Sequence, residues 1–564
     1  MRERTVKKCD IIFALLLCLL TVWQIYRAPF GFDRCDESFY LTVPYRFLQG
    51  DVPIRDEWHV SQFSGLLLTP IMWAYHLFGG TSEGIILNFR YIYVAFQCLT
   101  AIAIYLLLRK KSAVGALCGA IVFFPFSPLY IMALSYNSMG IGLLTLSGLT
   151  LACRKAKIGR LLSGAMFAGA VLCCPYLIAA YLLWAIIKLV RRIRRGEKAV
   201  DLLFFTLGAI LVAAAVALVI FSRAGLSDVL NAIPQILNDP EHSSMSFAEQ
   251  TGMFFKHLLF SRKVSLLTFV LSVLLVCALL FDKKRGEHRW FYAAASALIT
   301  LGFTTVNFLR YRYINYFMLP LAIVGGICYA ADGKKDRDVF NYVWLTGWIY
   351  SYLMMLSSNN FYESLTASLT VTSVASAYFA GKTAEELLQT KSRKNVSSAF
   401  LCVGSAALVC AAVVFSKQEV ARGTYFDFAT FPTAMLDAEI EKGPANGLLT
   451  YNDDKIRYDV IYEQSEPARK AKVENVLYAS HDAWLYLADE KRSAGYSAWL
   501  SIDYPQNTLG RLKEYERLNP SKAPDVLYIE NNENADKPML FAELIDTEQF
   551  ELTEAGTAYT FIKK

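Results

Sequence analysis

Two adjacent carboxylates, Asp36 and Glu37, open a polar stretch that follows the first apolar run of the chain. A carboxylate placed there can take the proton of a hydroxyl as its oxygen forms a new bond, while a neighbour orients the alcohol or binds a cation. Two acids at a helix start are also stabilised by the backbone dipole alone. Farther along, Asp56-Glu57-Trp58-His59 offers Glu57 and His59 as metal ligands, or as an interfacial polar patch beside Trp58. Residues 239–242 read Asp-Pro-Glu-His, which puts Asp239, Glu241 and His242 close together. With Glu57 and His59 they could complete a site for Mn²⁺, Mg²⁺ or Zn²⁺; an ordinary Asp-Pro turn explains the same letters. Arg310 and Arg312 alternate with Tyr311 and Tyr313. Guanidinium groups suit phosphate, and tyrosines suit the headgroup region, where simple anchoring gives the same pattern. Arg90 is a further phosphate candidate of this kind. Tyr136-Asn137 and Asn359-Asn360 sit at turns, where they can hydrogen-bond a sugar or phosphate, or merely form the turn.

The elements that must position these residues are hydrophobic. Of 564 residues, 55% are hydrophobic and only 19% charged, which is too apolar for one soluble domain. Apolar runs recur from residue 11 to residue 416, each near the length that crosses roughly 30 Å of hydrocarbon at about 1.5 Å per residue. Such runs must be helices, since lipid cannot satisfy backbone polar groups. The net charge of +7 is no nucleic-acid signature. Its basic residues cluster at 2–8, 109–111, 154–160, 188–198, 283–289, 334–337 and 391–394, as in cytoplasmic loops. The first run has a basic leader, but no small-x-small cleavage site follows it, so it reads as a retained helix. Most of the twelve cysteines lie inside apolar runs and read as small buried side chains, not as a disulfide framework.

Charge placement then gives about thirteen transmembrane helices, at 11–27, 85–108, 113–133, 138–153, 161–174, 176–190, 201–222, 264–281, 290–307, 315–331, 339–357, 362–380 and 397–416. The expected fold is a polytopic α-helical membrane domain over 1–416, with the N-terminus cytoplasmic. Its two long outer loops, 28–84 and 223–263, fall on one side. Phe39, Val43 and Phe47, then Phe63, Leu66 and Leu67, give the first loop surface helices with apolar faces. Residues 417–564 alternate polar segments with short strand-like runs around 447–450, 475–478, 525–529 and 558–562, with helical stretches at 480–491 and 507–517. They predict a small soluble α/β domain on the extracytoplasmic side of the plasma membrane.

Asp36-Glu37-Ser-Phe-Tyr40, followed by Arg46-Phe-Leu-Gln-Gly50 and Pro53, resembles the first-loop motif of the GT-C membrane glycosyltransferases. The nearest groups are the protein O-mannosyltransferases and the lipid A aminoarabinose transferase-like enzymes. The resemblance implies a GT-C-like fold and a polyprenyl-phosphate sugar donor, with Asp36 as catalytic base and Glu37 as supporting carboxylate. Relatives carry a Lys/His-Pro-Pro-Leu element in this loop, where this chain has His59-Val-Ser-Gln62. The reaction implied is inverting transfer of a sugar to a hydroxyl acceptor, a cell-envelope glycan, lipid or protein, with a divalent cation as an optional cofactor and membrane lipid, but no nucleic acid, as partner. A transporter or flippase of lipid-linked glycans would share the many spans. It would place charged or broken-helix sites near the bilayer midplane, whereas here the conspicuous carboxylates lie in loops. A non-catalytic binder of a lipid-linked glycan would keep the fold without needing Asp36.

Overall fold

The computed structural model of the chain describes residues 2–196, 200–238, 246–260, 263–311, 313–357, 361–390, 392–422, 430–500, 502, 504–530 and 538–564. Arg312, Asp239, Glu241, His242, Asn359 and Asn360 lie outside the described residues.

The helical body begins with α1 (Arg2–Arg27), α2 (Asp36–Leu48), α3 (Gln62–Leu77), α4 (Ile85–Leu108) and α5 (Ala113–Phe123). It continues through α6 (Tyr136–Cys153), α7 (Lys157–Cys173), α8 (Ile178–Arg195), α9 (Val200–Phe221), α10 (Leu226–Leu237) and α11 (Phe247–Phe260). Next come α12 (Lys263–Phe281), α13 (Arg289–Arg310) and α14 (Met318–Ala331), then helices Leu345–Leu356, Phe361–Ser368, Thr370–Leu388 and Arg393–Glu419. Seven helices among the described residues are long and apolar enough to cross a membrane, from Thr5–Arg27 to Arg393–Glu419. Their outward faces carry large exposed apolar side chains such as Leu15 and Leu19 of α1 and Leu203 and Leu218 of α9. That is the surface of a multi-pass membrane protein, because water would not tolerate it and lipid does.

All thirteen expected spans are helical, but six are shorter, interrupted or more polar than a full crossing. The span expected over 113–133 stops at Phe123, just before Pro125 and Pro128, and becomes a short 3₁₀ turn at Pro128–Tyr130. The expected pair of passes around Pro175 is present as α7 and α8, joined at a 3₁₀ turn. The Ser- and Thr-rich 362–380 is split into two helices whose polar side chains are buried in the bundle. Several hydroxyls there bond the carbonyls of their own helix, as Ser376 does to Thr372.

The C-terminal region holds a five-stranded sheet. Strands Asn475–Ala479 and Val526–Ile529 run parallel, with Val476 opposite Val526 and Ala479 opposite Ile529. Ala558–Lys563 pairs antiparallel with Val526–Ile529, and Phe550–Ala555 closes the edge as a hairpin. Helix Pro505–Leu518 lies in the crossover between the parallel strands. The expected helix over 480–491 is instead one 3₁₀ turn, Ala483–Tyr486. Asp482 is the reason: its side chain accepts from the Trp484 indole at 2.8 Å, a local bond that competes with continued helix.

This region is sewn to the first loop. Gly31 donates to the Leu449 carbonyl at 2.8 Å, Leu449 donates back to Pro29, and Trp58 donates to Tyr496. Helix α2 is therefore no surface helix. Residues Glu37 to Phe47 are buried, roofed by the C-terminal region in one shared apolar core that includes Phe39, Val43, Tyr478 and Trp484. Helix α3 keeps the expected half-exposed character, with Trp73 and Leu77 facing out.

Candidate functional site

Asp33 builds the start of α2. Its Oδ1 accepts from the backbone N–H groups of Cys35 (3.1 Å) and Asp36 (2.8 Å), which satisfies donors that the first turn leaves unpaired. Asp36 is thus fixed as the first helical residue, partly exposed, with Glu37 turned inward and only 2% exposed. Glu37 meets Arg90 of α4 through Nε–Oε1 at 2.7 Å and Nη2–Oε2 at 2.6 Å. The other Arg90 donors reach the carbonyls of Ala28, Phe30 and Gly31. Arg90, expected among the phosphate ligands, is a buried strut that fixes Glu37 and the 28–31 turn.

Beside this pair lies a small polar cavity lined by Arg27, Asp33, Glu37, Arg90, Tyr130 and Lys417. Lys417 comes from the last membrane helix, is 2% exposed, and donates to Gln24 Oε1 (2.7 Å), Ser127 Oγ (2.9 Å) and the Pro125 carbonyl (3.3 Å). Arg27, at the end of α1, donates to the carbonyls of Lys417, Phe30 and Val420. Three helix ends therefore bring three basic side chains, Arg27, Arg90 and Lys417, to one side of the α2 N-terminus.

The C-terminal sheet packs over α2. The carboxyl ends of the parallel strands Asn475–Ala479 and Val526–Ile529 lead into Ser480-His481-Asp482 and Glu530, the edge at which open α/β sheets characteristically present ligand-binding groups. Asp482 pairs with Arg34 at 3.3 Å, two residues before Asp36. Ser480 Oγ donates to Glu530 Oε2 at 2.5 Å, and Arg457 approaches Glu530 Oε1 at 3.5 Å. Burial, and then the nearby Asp482 charge, push the Glu530 carboxyl above the usual carboxylate range. Thr42 of α2 donates to the Ala483 carbonyl at 2.9 Å, which locks the roof over the helix.

Tyr136 and Asn137 sit at the start of α6, whose Ser135 and Ser138 form a reciprocal cap. The Tyr136 ring packs edge-on against Tyr40, one turn along α2 from Asp36, at 5.7 Å between centroids. Tyr136 is thereby brought against the Asp36 helix, and Asn137 follows it in the first turn of α6. Arg310 ends α13 exposed, with its guanidinium 5.5 Å from the Tyr311 ring. The following Tyr313 packs against Tyr130 of the polar cavity at 5.7 Å, and the Ile314 N–H donates to the Tyr130 hydroxyl at 3.1 Å.

Glu57 and His59 stand differently from the metal-ligand expectation. Glu57 is fully buried, with Oε2 2.7 Å from Arg46 Nη1 and Oε1 accepting from the His59 N–H at 3.1 Å. Burial raises its carboxyl pKa, and Arg46 only partly reverses that. Arg46 also takes Asp51 at 2.7 Å and the carbonyls of Asp56 and Gly495. This clamp closes the turn at Gly50, whose φ of +109° needs a glycine. His59 Nδ1 faces Ser61 Oγ at 2.7 Å. Among the described residues no three His, Cys, Asp or Glu side chains converge to hold a metal ion.

Asp33, Arg34, Lys417 and Asp482 are site-forming residues that the sequence did not single out. Asp33 had a local signal: an acid three residues ahead of a helical Asp36 is a capping pattern. Arg27 and Lys417 carried a weaker one, as cations at span ends opposite the basic clusters.

No family model matches the chain, and no curated protein matches it. Among solved structures it is similar to the archaeal oligosaccharyltransferase AglB from Archaeoglobus fulgidus, in complex with an inhibitory peptide and a dolichol-phosphate. That likeness covers 98% of this chain and 74% of AglB, at 11% identity and a TM-score of 0.43. It is also similar to ArnT from Cupriavidus metallidurans bound to undecaprenyl phosphate, over 98% of this chain and 97% of ArnT, at 13% identity and a TM-score of 0.41. The architecture itself, a polytopic helical membrane body with a small C-terminal sheet region, agrees with the GT-C-like plan that the first-loop motif implied.

Proposed function

We propose that the protein is an integral-membrane inverting glycosyltransferase that moves a sugar from a polyprenyl-phosphate donor to a hydroxyl-bearing acceptor. The observation that carries this reading is the unequal setting of two adjacent acids. Glu37 is buried in a bidentate pair with Arg90, whereas Asp36 is partly exposed at the helix start, next in sequence to the cavity-lining Glu37 and two residues after Arg34, which pairs with Asp482. The helix N-terminus favours the ionised carboxylate that a base must present.

In the reaction, the acceptor hydroxyl enters under the 480–482 segment and attacks the anomeric carbon. The bond from that carbon to the phosphate oxygen breaks with inversion. The hydroxyl proton passes to Asp36, and polyprenyl phosphate leaves with the electron pair. Arg27 and Lys417 are the basic groups on the cavity side that would face the departing phosphate, Arg90 being neutralised by Glu37, and the exposed Arg310 is the candidate for direct contact. A divalent cation that drew on Asp239, Glu241 and His242 would supply further charge neutralisation from outside the described residues.

The charge distribution supports the side of the membrane we propose. Helix α4 carries Arg90 near the Asp36 end, and Arg109 to Lys111 follow its other end. At that other end Lys111, Arg289 and Lys382 join Asp332, Asp336 and Glu386 in one network. The basic end is the cytoplasmic one by the inside-positive rule, so Asp36 and the C-terminal region face outward.

The reading is tested by incubating the purified protein with a panel of polyprenyl-phosphate sugars and hydroxyl acceptors, with and without chelator. Acceptor-dependent release of polyprenyl phosphate from at least one donor is expected. Transport of an intact lipid-linked glycan, with no release from any donor, would reject it.

A further inference from the structure

We infer that the apolar groove between α3, α7 and α9 seats an anionic membrane phospholipid, one acyl chain in the groove and its phosphate on Arg223. Helices α7 and α9 touch backbone to backbone at Gly164 and Gly208, where an added Cβ would run into the carbonyl oxygens of Phe205 and Leu161. Past that crossing the two helices part, and α3 closes the third side. The resulting groove of about 850 Å³ is lined by Leu172 of α7, Val212, Val216 and Val219 of α9, and Leu67 and Trp73 of α3. Water gains nothing there, and an aliphatic chain does.

Length admits an aliphatic chain. From Gly208 to Arg223 the chain rises by about 22 Å at 1.5 Å per residue, which exceeds one leaflet of a core roughly 30 Å thick. Charge selects the headgroup. Arg223 lines the mouth, is exposed, and its guanidinium enters no ion pair or hydrogen bond with the described residues; only its carbonyl is used, by Arg55 at 2.9 Å. Arg55 itself is neutralised by Asp56 at 2.7 Å. A guanidinium left over at the end of an apolar groove is matched by a lipid phosphate, which it can bind through two parallel hydrogen bonds.

The groove is not where the donor's sugar reacts. It meets α2 at Phe47 and Leu48, and Asp36 is at the other end of that helix, about 18 Å away by helical rise. That is too far for one sugar phosphate to bridge. The lipid instead braces the α2–α3 hairpin against α7 and α9, so its effect is on the stability of the first loop.

The test uses the full-length protein in detergent. Phosphatidylglycerol or phosphatidylcholine is added, and both thermal unfolding and retained lipid in native mass spectra are read. The variants are Arg223→Gln, which removes the phosphate contact, and Ala215→Trp, which fills the groove from the exposed face of α9. Phosphatidylglycerol should raise Tm more than phosphatidylcholine, and Arg223→Gln should hold it about tenfold more weakly with the lipid-free Tm unchanged. Ala215→Trp should retain neither lipid. Equal shifts from the two lipids, or an undiminished phosphatidylglycerol shift in Arg223→Gln, would overturn the inference. So would displacement of the bound lipid by polyprenyl phosphate or by a second copy of the chain. Arg223→Gln alone decides if Ala215→Trp fails to fold.

Discussion

Arg90 holds Glu37 by two N–H···O bonds of 2.7 and 2.6 Å, both partners buried, while the neighbouring Asp36 stays partly exposed. The pair divides labour between adjacent acids: one carboxylate anchors α2 to α4, and the other is left partly exposed at the helix start. A buried pair of this kind is costly to break and gains little over a well-packed apolar replacement. Its role is therefore positional.

Removing one partner should show this. Arg90→Ala leaves Glu37 buried without its cation and is expected to cost about 3–5 kcal/mol of stability, whereas the double replacement Arg90→Met with Glu37→Leu recovers most of that loss. Thermal unfolding of the parent, Arg90→Met, Glu37→Leu and their double variant in one detergent measures the coupling. Additive losses would mean that the pair is not a unit.

Arg46 tests the loop clamp. Arg46→Lys keeps the charge but loses the fork that reaches Asp51, Glu57 and two carbonyls at once. Hydrogen exchange should quicken across residues 49–61 and stay unchanged at the start of α2. Uniform loosening of both would show that the clamp does not act locally.

Glu530 gives a pH dependence with a definite sign. Its folded carboxyl titrates above the usual 4.5 because of burial and then Asp482. Between those two pKa values the folded chain holds a proton that the unfolded chain has released, so this group stabilises at low pH and loses its contribution as pH rises through the folded value. Glu530→Gln should flatten the fall in Tm that begins above about pH 4.5. A slope identical to that of the parent protein would contradict the assignment.

Much of this was legible in the sequence because it is local. Apolar runs named all seven helices that, among the described residues, are long and apolar enough to cross a membrane, and Asp36 stood out because it follows the first of them. Arg46 and Gly50 were visible as a motif, and the structure supplies their reason in a clamped turn with positive φ. What stayed hidden depends on distant partners: Arg34 and Asp482 are 448 positions apart, and Lys417 reaches Gln24 across 393. Arg90 looked like a phosphate ligand because a guanidinium near a span end is the same letter whether it faces a lipid or a buried glutamate. Glu57 and His59 looked like ligands for the same reason, until Arg46 and Ser61 took their polar atoms.

The most direct measurement is the turnover of Asp36→Asn against Glu37→Gln, read as polyprenyl phosphate released under saturating donor and acceptor. Loss of a general base should slow Asp36→Asn by about 10²–10⁴-fold with its Tm near that of the parent protein. Glu37→Gln should lose stability first and activity only in proportion. Parent-level turnover in a folded Asp36→Asn protein would contradict the central claim.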